Sequence, residues 1–289
     1  MIVRALKGLE DVISITVVHP VWQKTKPDDP EDVHNGWIFG DPIGKPFVNA
    51  IGKGGPFLPC YPGNEPDPIN HAKTIREVYE KASDTDGKYT VPILWDKELS
   101  TIVSNESCEI IRMLNSEFNE YAKNPHLDLY PEGPIREEIN TLNDWIYPTI
   151  NNGVYRCGFA TSQTAYDKAI TELTESFDRV ESILSKQRYI AGNTLTEADV
   201  RLFVTLLRFD EVYCVYFKTN ARMVSLSPAM LNYCREIYQA PGVAETVNME
   251  QIKLHYYCSH PVLNHYSIIP RGANFERLLK EPHNRDELK

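Results

Sequence analysis

The sequence lacks several features that would each indicate a particular class of protein. Its longest apolar runs, such as Ile13 to Val18, are far shorter than the roughly 20 residues that a membrane-spanning helix needs. It contains no run of lysine and arginine, and 40 acidic against 30 basic residues give a formal net charge of -10. We therefore expect neither nucleic acid nor a membrane surface as a partner.

The cysteines also lack a recognisable pattern. No Cys-x-x-Cys pair occurs among Cys60, Cys108, Cys157, Cys214, Cys234 and Cys258. Neither a zinc site nor a disulfide framework is indicated, and we expect no metal. The sequence also has no P-loop, no dinucleotide-binding glycine fingerprint and no nucleophile elbow. Because the first residues do not form a secretory signal, the expected location is the cytoplasm.

What the sequence does contain is an average globular composition, with 42% hydrophobic and 24% charged residues in 289 residues. This length allows one large domain or two ordinary ones. Strand and helix patterns are mixed over residues 1–118, a polar stretch covers 119–134, and only helical patterns occur over 135–289. We therefore predict an α/β domain, a linker and an all-helical domain with these bounds.

Local patterns predict the elements of the first half. Helical spacing of apolar residues predicts a short helix closed by Gly8 and a second helix over 72–82. Alternating β-branched residues predict a strand over Ile13–Val18. Residues 19–72 are rich in proline, glycine, aspartate and asparagine, and predict a long irregular segment of the kind that is often functional or disordered.

The most informative local pattern follows. Val91–Trp95 and Thr101–Val103 predict an antiparallel pair of strands, and Ser104 or Asn105 can cap the next helix. If the peptide bond before the strand-opening proline is cis, the preceding N–H and C=O are exposed for an extended peptide ligand. The free N–H groups and the Ser107 hydroxyl at the helix start suit a carboxylate. The alternative is an edge-strand proline followed by a simple helix cap, and local sequence alone favours that alternative.

The second half has clear helical signals. Apolar residues from Tyr166 to Leu184 step by three or four and predict a long helix in a helical bundle. Thr196 and Asp199 have the spacing of a capping box at the start of another buried helix. Further helices are predicted over 228–239 and 243–258.

Together these patterns resemble a known family. A half with Val-Pro and then Glu-Ser at a helix start, joined to a helical half with Gly-x-x-x-Thr-x-Ala-Asp at 192–199, looks like a cytosolic glutathione transferase. Longer stretches resemble the glutathionyl-hydroquinone reductases, the Xi class of glutathione transferases, over nearly the whole chain. These stretches are LKGLEDVISITVV at 6–18, NGWIF at 35–39, TVPILWDKELSTIVSNESCEIIRMLN at 90–115, WIYPTINNGVYRCGFATSQTAYD at 145–167 and LTEADVRLFVTLLRFDEVY at 195–213.

The resemblance implies a fold and partners. The implied fold is α/β plus all-α: a thioredoxin-like N-terminal domain, incomplete because its first strand is missing, followed by an all-helical glutathione-transferase C-terminal domain. Glutathione is the implied co-substrate, quinone-type molecules are the other small-molecule partners, and a homodimer forms through the helical domain. In this family a cysteine thiolate attacks the sulfur of a glutathionyl-hydroquinone and releases the hydroquinone. A second glutathione then resolves the mixed disulfide to give oxidised glutathione.

The resemblance also implies roles for particular residues. Those implied to bind glutathione are Trp37, Val91, Pro92, Glu106 and Ser107. Those implied to face the quinone are Tyr155 and Tyr256. Val91 would bind the cysteinyl part through its backbone, beside a cis Pro92, while Glu106 and Ser107 would hold the γ-glutamyl end. Trp37 would pack on glutathione. The alternatives are a loop tryptophan that fills the core and tyrosines that are simply buried and hydrogen-bonded.

No catalytic residue is assigned. The family nucleophile lies in a Cys-Pro-Trp-Ala-type motif directly upstream of the segment matched by IVRALKGLE at 2–10, and the present sequence starts inside that helix. Since none of the six cysteines has the matching position, we expect no reductase turnover from these residues, and poor anchoring of residues 1–18. The alternative function is a non-catalytic glutathione- or quinone-binding protein, or a scaffold.

Overall fold

The computed structural model describes residues 1–84 and 86–288 and divides the chain into two compact units. The helical unit consists of Met1–Val12, Arg112–Met249 and Arg271–Lys289. The mixed unit consists of Ile13–Ile111 and Glu250–Pro270. Each unit thus combines separate stretches of chain, whereas the domains expected from the sequence are each one continuous stretch. Those ranges stay a prediction.

The first helix, α1 (Ile2–Lys7), ends at Gly8 as predicted. Gly8 has φ of 66°, and a Cβ atom there would lie 2.6 Å from Cβ of Lys123, so this position requires glycine. Ile2, Val3 and Leu6 of this helix are buried, and Nζ of Lys7 donates a hydrogen bond to the carbonyl of Leu127 at 2.7 Å. The expectation of poor anchoring is therefore wrong for this helix.

The mixed unit contains short antiparallel strands and one complete helix between them. Its elements up to α3, which leads into the helical unit, are β1 (Gln23–Lys24), β2 (Asn35–Gly36), α2 (Ile75–Lys81), β3 (Leu94–Asp96), β4 (Thr101–Ser104) and α3 (Ser107–Ser116). Strand β1 pairs with β2, and β3 pairs with β4, both antiparallel. The β3–β4 hairpin confirms the antiparallel pair predicted from the sequence, although β3 begins three residues later than predicted.

The strand predicted over Ile13–Val18 is wrong, because this segment has no strand conformation. Alternating β-branched residues set a local preference, whereas a strand needs a hydrogen-bonded neighbour. His19, the next residue, donates its N–H to the carbonyl of Ile38 at 2.8 Å. In the described part of the chain no ladder continues from this bond.

The second half is helical, as predicted. Its α-helices are α4 (Pro134–Ile146), α5 (Gly153–Gly158), α6 (Gln163–Leu184), α7 (Glu197–Arg208), α8 (Cys214–Tyr216), α9 (Pro228–Gln239), α10 (Met249–Ser259) and α11 (Phe275–Leu279). Short 3₁₀ turns cover Val224–Leu226, Ala244–Thr246 and Arg285–Glu287. Helices α6 and α9 confirm the predictions from apolar spacing, while α10 begins later than predicted. None of the helices described has the length and hydrophobicity needed to cross a bilayer.

The predicted capping box at the start of α7 is also confirmed. The backbone N–H and the hydroxyl of Thr196 donate to the Asp199 carboxylate at 2.8 and 3.0 Å. The same carboxylate accepts from the N–H of Ile190 at 2.8 Å and from the Tyr233 hydroxyl at 2.9 Å. Burial raises the pKa of Asp199 to about 6, while these hydrogen bonds favour its charged form. The cap therefore links α7 to α9 as well as satisfying its own helix.

Candidate functional site

The proline and helix-start residues implied to bind glutathione lie at one end of the β3–β4 hairpin. Leu94 pairs with Ser104 at this end. Val91 lies three positions before Leu94, and Ser107 lies three positions after Ser104. The Val91–Pro92 peptide bond is cis, which confirms that expectation.

Backbone groups at this end of the hairpin are open to a ligand. In the part of the chain that the structure describes, neither the N–H nor the C=O of Val91 has a hydrogen-bond partner. The N–H groups of Ser107 and Cys108, in the first turn of α3, have no partner among those residues either. The side chains of Glu106 and Ser107 are exposed beside them. An extended peptide can pair with the Val91 backbone, and a carboxylate suits the N–H groups at the start of α3.

Two side chains hold the start of α3. Ser104 Oγ accepts from the N–H of Glu106 at 3.1 Å and donates to Oε2 of Glu109 at 2.7 Å. Ser104 thus bonds Glu106, the residue directly before α3, and Glu109 in the first turn of that helix. The amide of Asn105 instead donates to the hydroxyl of Tyr79 at 3.0 Å.

Trp37 lies in a cluster of aromatic and imidazole rings within the mixed unit. Its ring stacks on that of His255, with centroids 4.3 Å apart and planes 23° apart, and meets Trp22 edge-on at 5.6 Å. Trp22 also contacts His255 at 5.4 Å and His260 at 5.1 Å. Of these rings only Trp37 is predicted from the sequence. His255 and His260 could have been predicted only from their closeness in sequence to Tyr256.

Hydrogen bonds fix the orientation of His255. Its Nδ1 lies 2.9 Å from the carbonyl oxygen of Pro20 and 3.2 Å from the hydroxyl of Ser259. That hydroxyl donates to the Pro20 carbonyl and accepts from the N–H of Trp22, both at 3.1 Å. The imidazole therefore presents a fixed plane on which Trp37 stacks.

Tyr256 is 7% exposed and lies among the same rings. Its ring centroid is 5.3 Å from that of His255 and 6.4 Å from that of His260. Burial lowers the pKa of His260, which favours its neutral form. The buried position of Tyr256 suits a packed tyrosine, and its role towards a quinone stays a prediction.

Tyr155 belongs to the helical unit and is 37% exposed. Its ring contacts those of Tyr213 at 6.0 Å and Phe217 at 5.4 Å, and these two rings stack on each other at 5.5 Å. π-helical turns at Tyr147–Asn151 and Phe209–Tyr213 lead into these positions. Such turns are frequent at functional sites. Apolar periodicity does not predict them, although Tyr213 ends one of the stretches that carry the resemblance.

Burial controls the chemistry of most of the cysteines. It raises the pKa of Cys157 to about 11 and the pKa of both Cys214 and Cys258 to about 12. It also raises the pKa of the Cys60 and Cys234 thiols. Since the thiolate is the reactive form, these five thiols are not activated as nucleophiles. Cys108 is half-buried in the first turn of α3.

Comparison with known proteins places this chain and its fold in a class. The model of the glutathione S-transferase C-terminal domain family matches residues 163–236. Glutathionyl-hydroquinone reductase YqjG of Escherichia coli is 42% identical over 287 residues, which are 99% of this chain and 78% of that protein. Glutathionyl-hydroquinone reductase PcpF of Sphingobium chlorophenolicum is 40% identical over 275 residues, 94% of this chain and 77% of that protein.

Solved structures agree with these relatives. The glutathione-bound structure of YqjG from Escherichia coli superimposes with a TM-score of 0.85 at 43% identity, covering 99% of this chain and 83% of that one. The Xi-class structure from Natrialba magadii also gives 0.85, at 41% identity, covering 99% and 78%. These matches define a glutathione transferase, with a thioredoxin-like domain and a helical C-terminal domain, and so confirm the predicted fold class. The chain belongs to the Xi class of that superfamily, the family of the glutathionyl-hydroquinone reductases.

Proposed function

We propose that this protein binds glutathione at the open end of the β3–β4 hairpin. The observation that carries the proposal is that the backbone N–H and C=O of Val91 and the first N–H groups of α3 have no hydrogen-bond partner among the described residues. Glutathione is a short extended peptide with a γ-glutamyl carboxylate. Its peptide groups match the Val91 backbone, and its carboxylate matches the N–H groups and the Ser107 hydroxyl. Pro92, Glu106 and Trp37 complete the proposed glutathione site.

The second proposed substrate is the hydroquinone part of a glutathionyl-hydroquinone. Two relatives at about 40% identity are named glutathionyl-hydroquinone reductases, which supports this choice. Tyr155 and Tyr256 are proposed to face this ring. A phenol hydroxyl can hydrogen-bond a hydroquinone oxygen and stabilise charge while the carbon that leaves sulfur is protonated.

The thiol-disulfide step needs an activated thiolate, and five of the six cysteines present have a raised pKa. We therefore propose that residues 1–289 bind these molecules without turning them over. This proposal coincides with the alternative function expected from the sequence, a non-catalytic glutathione- or quinone-binding protein. A homodimer formed through the helical domain and a cytoplasmic location stay predictions, and light scattering of the purified protein tests the first.

Isothermal titration calorimetry with glutathione tests the binding site. The variant Ser107→Ala removes one proposed contact at the start of α3, and Ser116→Ala makes the same change at the other end of that helix. Loss of a hydrogen bond to a charged group weakens binding by about 1.5–3 kcal/mol, or roughly 10- to 150-fold. We expect this loss for Ser107→Ala and unchanged affinity for Ser116→Ala. Equal affinities in the two variants would contradict the site.

Chromatographic measurement of free hydroquinone tests the reaction. The protein is incubated with a glutathionyl-hydroquinone and glutathione. Binding of both molecules without release of hydroquinone is expected. Release that disappears in one cysteine-to-serine variant would contradict the proposed lack of turnover, and Cys108→Ser is the first variant to examine because that residue lies beside Ser107.

A further inference from the structure

Helix α2 contacts the chain segments that carry the proposed glutathione residues. At its start, the N–H of Ile75 donates to the carbonyl of Trp37 at 3.0 Å. One turn later, the hydroxyl of Tyr79 donates to the carbonyl of Thr90 at 2.9 Å. The same hydroxyl accepts from the side-chain amide of Asn105 at 3.0 Å. A single helix therefore connects three segments that are distant in sequence.

The Tyr79 hydroxyl lies between two neighbours of site residues. Thr90 directly precedes Val91, whose backbone is proposed to bind the cysteinyl part, and Asn105 directly precedes Glu106. Tyr79 is 1% exposed, so its ring has little freedom to move. The hydroxyl thus sets the separation between the two halves of the proposed site.

We infer that Tyr79 is a positioning residue for glutathione, an inference that rests on the proposed function. It acts through Thr90 and Asn105 and does not touch the ligand itself. A ligand that bridges two segments binds best when their separation is set before binding, because less ordering is then needed on association. Without the hydroxyl, the Val91 backbone and the first turn of α3 would have to be ordered by glutathione.

The hydroxyl and the ring of Tyr79 have separable roles. The ring packs in the core, with its centroid 5.7 Å from that of Tyr89, and Tyr79→Phe retains it. The partners that lose the hydroxyl are Thr90, which is exposed, and Asn105, which is half-buried. Water can satisfy both groups, so we expect a small loss of stability and a larger loss of ligand affinity.

Calorimetry with glutathione on the full chain tests this inference. A matched control is Tyr238→Phe in the helical unit, since Tyr238 is also buried and its hydroxyl donates to Glu276 at 3.1 Å. We expect Tyr79→Phe to weaken glutathione binding about fivefold to tenfold, the usual effect of one hydrogen bond, and Tyr238→Phe to leave it unchanged. Tyr79 and Asn105 are the two partners of one hydrogen bond, and removing either of them breaks it. The double variant Tyr79→Phe/Asn105→Ala should therefore bind glutathione no more weakly than the single variant with the lower affinity.

Amide hydrogen exchange without ligand gives an independent measurement. The N–H groups of Thr90 and Glu106 are hydrogen-bonded to the carbonyl of Lys88 and the hydroxyl of Ser104. Exchange at these two amides should be faster in Tyr79→Phe than in the wild type and unchanged in Tyr238→Phe. If the wild type binds glutathione and Tyr79→Phe binds equally well, or exchange at both amides is unchanged, the positioning role is refuted while the proposed site stands. If the wild type does not bind glutathione, the proposed function is refuted and this inference with it.

Discussion

Replacing Asp199 by alanine gives the sharpest test of how the helical unit is held together. The fully buried Asp199 carboxylate accepts hydrogen bonds from the N–H groups of Ile190 and Thr196, both at 2.8 Å. It also accepts from the hydroxyls of Thr196 at 3.0 Å and Tyr233 at 2.9 Å. Asp199→Ala leaves all of these donors without their acceptor in a place that water does not reach.

The size of the effect follows from these contacts. A buried donor left without a partner destabilises a protein by about 1–3 kcal/mol, although neighbouring groups relax in part. Burial of the charged carboxylate is itself unfavourable, as the raised pKa of about 6 indicates. Asp199→Ala removes this unfavourable contribution as well. We expect a net loss of about 3–5 kcal/mol, in the range of breaking a buried polar network. At about 2–4 °C per kcal/mol, this lowers the melting temperature by roughly 6–20 °C.

Thermal and urea unfolding, followed by far-ultraviolet circular dichroism, measure this loss. The matched control is Asp178→Ala, because the Asp178 carboxylate pairs with Arg222 at 2.9 and 3.0 Å but lies on the surface. An exposed pair of this kind contributes about 0–1 kcal/mol. A loss below about 1 kcal/mol in Asp199→Ala, or equal losses in the two variants, would refute the reasoning.

Two further predictions concern packing and pH. In Gly158→Ala the new Cβ would lie 2.1 Å from Cδ1 of Phe217, a buried ring that contacts Tyr155. The urea midpoint should fall by the equivalent of about 1–3 kcal/mol, and an unchanged midpoint would contradict this. Burial lowers the pKa of His19 below its usual value of 6.5. The stability that comes from keeping this histidine neutral is therefore fully present above about pH 6.5, and it is lost as the pH falls below that value through the lowered folded-state pKa. Measured by urea unfolding, the free energy of unfolding of the wild type should be lower at about pH 5 than at about pH 7.5. His19→Gln should reduce this difference, whereas His126→Gln, at an exposed position, should not. Identical differences in all three proteins would contradict the prediction.

Elements that depend on near neighbours in the chain could be predicted from the sequence. The apolar spacing of Tyr166 to Leu184 predicts α6, and Thr196 with Asp199 predicts the cap of α7. Both follow from groups within one or a few helical turns. The same holds for α1 and Gly8, since a helix that ends in a left-handed residue favours glycine.

Elements that depend on distant partners could not be predicted in this way. The segment Ile13–Val18 has the pattern of a strand but not its conformation, because a strand requires a paired neighbour. The stacking of Trp37 on His255 joins residues more than 200 positions apart. The bond from Asn105 to Tyr79 likewise depends on how α2 packs against the hairpin.

The sequence by itself therefore determined the family, the helices of the second half and the identity of the proposed glutathione-binding residues. These follow from motifs and periodicities whose members are close together in the chain. The tertiary structure decided which backbone groups near Val91 and Ser107 are open, which rings surround Trp37, and which thiols are buried. Those properties depend on burial and on the directions of hydrogen bonds between separated segments, and neither is set until the chain has folded.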